Sequence, residues 1–224
     1  MTASGPAVTP EIAALLQHAT RKRFAPKRLI MREGENSDVL YFILAGSVTV
    51  WVQDPDGAEL ILAYLGPGEF FGELGLFDAN IKRSASVRAR TDCEVAVISY
   101  EKFRNLIQAA PGLLLPIVGQ IARCLRAASQ KLGNLAFLDV AGRIARALLD
   151  LAADSQAIAH PEGMLVRITR EELGRLVSCS RETAGQVLLD LEQQGLIAVD
   201  GKSIVVHGVS PSQAMTPARD PLTP

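Results

Sequence analysis

Between Leu114 and Leu135 the positions Leu114, Val118, Ile121, Leu125, Ala128, Leu132 and Leu135 recur at alternating spacings of four and three. That is the heptad pattern of a helix with one narrow apolar seam. A helix over residues 112–137 would be roughly 40 Å long, longer than a small domain needs. Parallel pairing of two copies is the simpler way to bury such a seam, and a single globular core is the other way. Pro116 falls in the opening turns, where a missing N–H is tolerated.

The pattern changes on either side of this segment. Ile12, Leu15 and Leu16 give Glu11–His18 helical spacing, after a small, Pro-containing start over Met1–Pro10 that reads as a mobile end. From Leu29 to Ser99 the chain is rich in Val, Ile and aromatic residues and is cut by Gly34, Gly46, Asp54-Pro55-Asp56-Gly57 and Gly66-Pro67-Gly68. These breaks predict turns between short antiparallel strands. The predicted strands are 41–44, 47–51, 60–65, 85–90 and 94–98, closing into a β-roll. Tyr100–Ala109 reads as a helix that Pro111-Gly112 ends.

Beyond the seam, Phe137-Leu138-Asp139 ends the long helix and Val140–Leu151 is amphipathic. Residues 152–164 read as a loop. Thr169 and Glu172 have capping-box spacing at the start of a helix. Val177-Ser178-Cys179 forms a tight turn, and Ser180 caps a second helix over Arg181–Gln193. Helix, turn and helix predict a helix-turn-helix. Gly195 stops the second helix, and Leu196–Val199 with Ser203–His207 read as a closing hairpin or wing. At 100° per residue, Ala184, Val187, Leu188 and Leu191 share one side of that helix. Arg181, Glu182, Gly185, Gln186 and Leu189 share the other. Ser210–Pro224, with four prolines and no period, reads as a disordered tail.

Composition narrows the choices. A chain of 224 residues, 48% hydrophobic, with net charge −1 can build one large or two small cores. No apolar run has membrane-spanning length and no basic start precedes one, so a cytoplasmic protein with no membrane partner is expected. Cys93, Cys124 and Cys179 are far apart and form no C-x-x-C pair, which predicts reduced thiols. His18, His160 and His207 form no metal-binding or catalytic arrangement, so neither a metal nor an enzyme activity is expected.

The candidate chemistry lies in Phe70–Ala85, FFGELGLFDANIKRSA. Gly72 and Gly75 let the backbone turn and approach a ligand, while Glu73, Arg83 and Ser84 supply an acceptor, a cation and a hydroxyl. A guanidinium pairs with phosphate oxygens, and successive backbone N–H groups can add an anion-binding concavity. A carboxylate would be repelled by phosphate and instead accept from a hydroxyl. A small sugar phosphate, held without catalysis, fits that set. A surface ion pair of Glu73 with Arg83 beside a Gly-rich turn fits it too.

GELGLF at Gly72–Phe77, followed by Arg83-Ser84-Ala85, resembles the phosphate-binding cassette of cyclic-nucleotide-binding domains. More narrowly, it resembles the bacterial cyclic-AMP receptor protein (catabolite activator) family. SCSRETAG at Ser178–Gly185 is similar to that family's recognition helix, and the likeness extends from about His18 to Gly208. It implies an α+β chain. An N-terminal β-roll (double-stranded β-helix jelly roll, 1–110) is followed by a long dimerisation helix (111–138) and a C-terminal winged helix-turn-helix (139–209), with a tail over 210–224.

The resemblance also implies roles for particular residues. Glu73 would hold a ribose 2′-hydroxyl. Arg83, Ser84 and the Gly72 backbone would hold the cyclic phosphate, with Leu74 inside the cassette. Ala128 and Ser129 occupy the positions that touch the base, where the family usually has Thr-Ser, so only Ser129 offers a hydroxyl. Arg181 would contact a guanine edge and Glu182 a cytosine amino group, with Arg170, Ser180, Thr183 and Gln186 completing the DNA surface. Gln186 stands where the family has arginine, and Leu189 replaces a nearby lysine. The basic run Arg21, Lys22, Arg23, Lys27 and Arg28 reads as a solvated face, and in the family this region touches RNA polymerase.

The reading is therefore a cyclic-nucleotide-dependent homodimeric transcription regulator of a two-fold symmetric DNA operator. Cyclic AMP is the expected effector and cyclic GMP a possible one. Rival readings are a same-fold sensor of cyclic di-GMP, haem or an iron-sulfur cluster, a cyclic-nucleotide-regulated enzyme, and a sensor acting through protein partners. The last is kept open by charge: residues 139–209 carry seven Lys and Arg against ten Asp and Glu, a net charge of −3, whereas DNA-binding domains usually lean basic.

Overall fold

The computed structural model describes residues 9–78, 82–154 and 157–209. The tail over 210–224 and residues 1–8 lie outside that range. The chain divides into two compact units, Met1–Gln130 and Lys131–Pro224.

In the first unit a helix α1 (Pro10–His18) starts at Thr9, whose side chain caps the Ile12 amide, so the helix takes in Pro10 at the expected mobile end. Eight strands follow: β1 (Thr20–Phe24), β2 (Leu29–Met31), β3 (Val39–Ala45), β4 (Val48–Gln53), β5 (Glu59–Leu65), β6 (Phe70–Phe71), β7 (Ser86–Ala89) and β8 (Cys93–Ser99). They form two antiparallel four-stranded sheets, ordered β1-β8-β3-β6 and β2-β7-β4-β5. Between β6 and β7 lies a one-turn helix α2 (Leu74–Phe77). After β8 come α3 (Tyr100–Ala109), a 3-10 turn at Pro111–Leu113 and the long α4 (Leu114–Phe137), of which the residues from Lys131 onward belong to the second unit.

Side chains alternate across a strand, and the first sheet uses both faces. Leu40, Phe42, Phe70, Ala96 and Ile98 pack with Ile12, Leu15, Phe103, Leu113 and Ile117 of the helices. Tyr41, Ile43, Phe71, Val95 and Val97 point the other way, into a cluster with Val48, Leu65 and Val87 of the second sheet. Burial on both faces explains why β3 reads as a nearly unbroken apolar run.

The basic run departs from its sequence reading in one respect. It is exposed, as expected of a solvated face, but Arg21, Lys22 and Arg23 also form strand β1, with Lys27 and Arg28 beyond its end. Arg21 and Arg23 reach across to Glu94 of β8 at 3.4 and 3.0 Å. Charged side chains on an edge strand discourage further strand pairing.

The second unit holds α5 (Val140–Ala152), β9 (Ile158–His160), β10 (Gly163–Arg167), α6 (Arg170–Val177), α7 (Arg181–Gln193), β11 (Ile197–Asp200) and β12 (Ser203–His207). The sheet order is β11-β12-β10-β9. The expected loop over 152–164 is thus corrected: it contains β9 and the start of β10, paired as Ile158↔Leu165 and Gly163↔His160. Three residues are too few to show a period of two, which is why the strand was not visible in the sequence. The helices and sheet share one core that includes Ile144, Leu148, Leu173, Ala184, Leu188, Ile197 and Ile204.

Candidate functional site: the cassette and the recognition helix

The cassette is built around a buried cation. Arg83 is only 5% exposed, which removes the reading of a surface ion pair. Its backbone is fixed on both sides, the N–H donating to the Glu35 carbonyl at 2.9 Å and the carbonyl accepting from the Gly34 N–H at 2.8 Å. The guanidinium donates to the carbonyls of Gly72 (3.0 Å) and Val39 (2.8 Å) and to the Tyr100 hydroxyl (3.1 Å). It also sits over the Tyr41 and Tyr100 rings at 5.8 and 5.9 Å. Tyr41 is itself stacked on Phe71, with centroids 4.5 Å apart. The Tyr100 hydroxyl donates in turn to the Gly72 carbonyl. The exposed Asp38 carboxylate is 3.9 Å from the Arg83 guanidinium, a pairing that water screens.

Gly72 is required by this packing. Its φ of +76° lies in the left-handed region, and a Cβ there would stand 2.4 Å from Arg83 Nη1. Any side chain would both strain the backbone and displace the guanidinium. Glu73 follows at the N-cap of α2. Burial raises its pKa above the ordinary carboxylate value, against the opposing pull of its own backbone hydrogen bond and of Arg83. Glu73 and Arg83 are thus electrostatic neighbours in one partly dry site, an acceptor and a donor of opposite charge. Ser84 and Leu74 are exposed beside them.

Ala128 and Ser129 lie on the exposed part of α4. The seam divides along the helix. Leu114 and Ile121 pack against the core of the first unit, while Leu125 and Leu132 are 69% and 67% exposed and Val118 and Leu135 are exposed as well. The chain by itself leaves most of the apolar stripe in water.

In the second unit the capping box forms as the spacing predicts. The Thr169 hydroxyl accepts from the Glu172 N–H at 3.1 Å, and the Glu172 carboxylate accepts from the Thr169 N–H at 3.0 Å. Gly174 then allows the close turn, since a Cβ there would stand 2.6 Å from the Cys179 carbonyl oxygen. Ser180 caps α7, accepting from the Thr183 N–H at 3.1 Å. As the helical projection predicts, Ala184 and Leu188 are buried, and Arg181, Glu182, Gln186 and Leu189 are exposed. Arg170, at the first position of α6, lies beside Gly185 of α7, its Cδ 3.5 Å from where a Cβ would be. The Glu182 carboxyl is held below its usual pKa by a backbone N–H at the helix start and by the Ser180 hydroxyl, so it remains an ionised acceptor. The Gln186 amide donates to Asp190 at 3.1 Å.

The structure therefore brings Gly72, Glu73 and Arg83 together in one unit. It gathers Arg170, Ser180, Arg181, Glu182, Thr183 and Gln186 at the exposed side of α7 in the other. Sequence reasoning missed Tyr41, Tyr100 and the Val39 carbonyl, which hold Arg83. Both tyrosines read as ordinary strand and helix residues, and a carbonyl has no sequence signal. Among the described residues no three His, Cys, Asp or Glu gather as a metal site, and no helix is long and apolar enough to cross a membrane. Cys93 lies in the core between the sheets, where burial pushes its thiol up to about 11.

These two constellations on this fold define a ligand-sensing helix-turn-helix protein. Residues 21–110 match the family of the cyclic nucleotide-binding domain, and residues 142–209 match the Crp-like helix-turn-helix domain. Over 208 residues the chain is 50% identical to the cAMP-activated global transcriptional regulator CRP of Salmonella typhimurium, covering 93% of this chain and 99% of that one. It is 51% identical to the cAMP-activated global transcriptional regulator Vfr of Pseudomonas aeruginosa, covering 87% of this chain and 92% of that one. Among solved structures it is similar to the c-di-GMP responsive global regulator CLP of Xanthomonas campestris. That likeness has a TM-score of 0.83 and 41% identity, and it covers 89% of this chain and 99% of that one. The chain belongs to the CRP family of cyclic-nucleotide-dependent, DNA-binding transcription regulators.

Proposed function

We propose that the chain acts in the cytoplasm as a homodimer that binds cyclic AMP in the β-roll and, when occupied, binds a two-fold symmetric operator through α7. The observation that carries this reading is the buried Arg83 beside Gly72 and Glu73. A guanidinium has five N–H donors, and three acceptors from the protein leave capacity for a cyclic phosphate. Arg83, Ser84 and the Gly72 backbone hold that phosphate, Glu73 accepts from the ribose 2′-hydroxyl, and Leu74 completes the cassette wall. Ser129 of α4 meets the base. Ala128 has no oxygen to offer it, which makes discrimination between bases less strict. The domains assigned are the β-roll over 1–110, the dimerisation helix over 111–138 and the winged helix-turn-helix over 139–209.

The exposed seam supports the homodimer, because pairing with a second copy removes Leu125, Leu132 and Leu135 from water. Two copies of α7 then face successive major grooves of a symmetric site. Arg181 reads guanine, Glu182 accepts from a cytosine amino group and Gln186 favours adenine, while Arg170, Ser180 and Thr183 position the helix on the phosphates. The basic β1 segment is the surface assigned to RNA polymerase. A second reading of the effector, cyclic di-GMP, draws support from the similarity to the Xanthomonas regulator.

Calorimetric titration of the full chain with cyclic AMP, cyclic GMP and cyclic di-GMP tests the effector, with one cyclic AMP bound per chain as the expected result. Tightest binding of cyclic di-GMP moves the assignment to the second reading. For the dimer, Leu132→Asp is expected to sediment as a monomer, since burying an unpaired charge in the seam is costly. A variant that sediments as a dimer places the interface elsewhere.

A further inference from the structure

One buried polar side chain has no part in the assignments above. Gln120 is 5% exposed, and both ends of its amide are used on one residue. Its Oε1 accepts from the Phe70 N–H at 2.8 Å and its Nε2 donates to the Phe70 carbonyl at 2.7 Å. Phe70 belongs to β6, the edge strand of the first sheet. On its inner side β6 pairs with β3 through Phe42↔Phe70 and Tyr41↔Phe71. The Phe70 N–H and carbonyl point to the open side, where a sheet edge would leave them unpaired. A helix side chain supplies both missing partners.

The position of this clamp is informative at both ends. Two residues after Phe70 comes Gly72, whose carbonyl accepts from Arg83, and then Glu73. At the other end, Ile117 and Gln120 are the buried residues of α4, and residues 122–130 are exposed. Gln120 is thus the last buried point on the helix before its exposed length, and Ala128 and Ser129 follow roughly 12–14 Å further along the axis. A fixed bond at this point sets the separation between the cassette and the part of α4 assigned to the base.

Resting on the reading of this pocket as a cyclic-nucleotide site, we propose that Gln120 is its positioning residue. The amide locks β6 to α4, so that the cassette and the Ala128–Ser129 segment are held in register before the ligand arrives, and occupancy of the cassette is passed to the helix. Preorganisation of this kind raises affinity by removing the ordering that binding would otherwise require. It also gives the bound ligand a mechanical link to the segment assigned to dimerisation.

The test compares wild type with Gln120→Met, which keeps the volume and loses both hydrogen bonds, and with Gln120→Glu, which keeps the acceptor but sets a carboxylate against the Phe70 carbonyl. Three quantities are measured at a temperature well below unfolding: exchange of the Phe70 amide hydrogen, calorimetric affinity for cyclic AMP, and the ratio of DNA affinities with and without cyclic AMP. In Gln120→Met the Phe70 amide is expected to exchange faster, and in both variants the nucleotide affinity is expected to fall roughly tenfold and the DNA-affinity ratio to shrink. A merely structural role would lower the unfolding temperature and leave the affinity and the ratio as in wild type, and that result overturns the proposal. If Gln120→Met does not fold, Gln120→Glu carries the comparison, and in wild type the Phe70 amide must gain protection when cyclic AMP binds; no gain overturns the proposal. Wild type that binds no cyclic nucleotide overturns the reading of the pocket together with this inference. Equal binding by wild type and both variants overturns the inference alone.

Discussion

The cassette and the recognition helix both present arginine, a carboxylate and small polar groups, yet the fold treats them in opposite ways. Around Arg83 the hydrogen bonds are internal: two carbonyls and a tyrosine hydroxyl, with two aromatic faces, surround a buried guanidinium. Around Arg181 the neighbours are exposed, and the side chain stands at the start of a helix with Glu182 beside it. Burial raises the Glu73 pKa, whereas the helix start lowers that of Glu182. A small ligand supplies few contacts of its own, so the protein must hold the binding groups in place beforehand. DNA supplies a long charged surface and can organise mobile side chains itself.

Changes that break this contrast should have unequal effects. The largest is expected for Arg83→Leu. It removes the charge-assisted phosphate contact proposed for Arg83, worth about 1.5–3 kcal/mol, and should lower cyclic nucleotide affinity roughly 10- to 150-fold. It also leaves the Val39 carbonyl without a partner, so the unfolding temperature should fall too. Calorimetry and thermal unfolding read the two effects separately, and unchanged binding would remove Arg83 from the site.

On the exposed helix a change should alter preference with little cost in stability. Gln186→Arg is expected to shift one base pair in each half-site toward guanine by about 1–3 kcal/mol. The added charge in a domain of net −3 also raises affinity for all sequences, but that part steepens the salt dependence, whereas base readout changes the rank order of operators. An unchanged ranking in a selection from random DNA would contradict the placement of α7.

The smallest effect is expected from Glu73→Gln in the ligand-free protein. Because the folded-state pKa of Glu73 is raised, the folded state holds its proton to higher pH than the unfolded chain does. This carboxyl therefore costs stability as pH rises through and above its ordinary value. The glutamine variant should unfold at a slightly higher temperature than wild type at neutral pH, with the difference vanishing below the ordinary carboxylate pKa. Its nucleotide affinity should fall because a charged acceptor is lost. A variant less stable than wild type at neutral pH would mean that the Glu73 charge is compensated rather than strained.

How far the sequence revealed each region follows the same contrast. The recognition helix was almost fully legible, because capping, period and exposure are local: Thr169, Ser180, Ala184 and Leu188 stand as their spacing predicts. The cassette residues were visible as types, but not the burial of Arg83, which depends on Val39 and Tyr100, 44 and 17 residues away. Gln120 gave no signal, since a glutamine on a helix is ordinarily solvated and its partner is a backbone 50 residues distant. β1 was concealed by its charge and β9 by its length.

On the proposed reading, a preformed nucleotide site governs DNA binding by a separate unit. The most direct test is the affinity of the full chain for its selected operator, at fixed salt, as cyclic AMP is raised from zero to saturation. The expected result is a rise of about 5- to 150-fold in wild type and a flat response in Arg83→Leu over the same range. Equal operator affinity with and without cyclic AMP in wild type would contradict it.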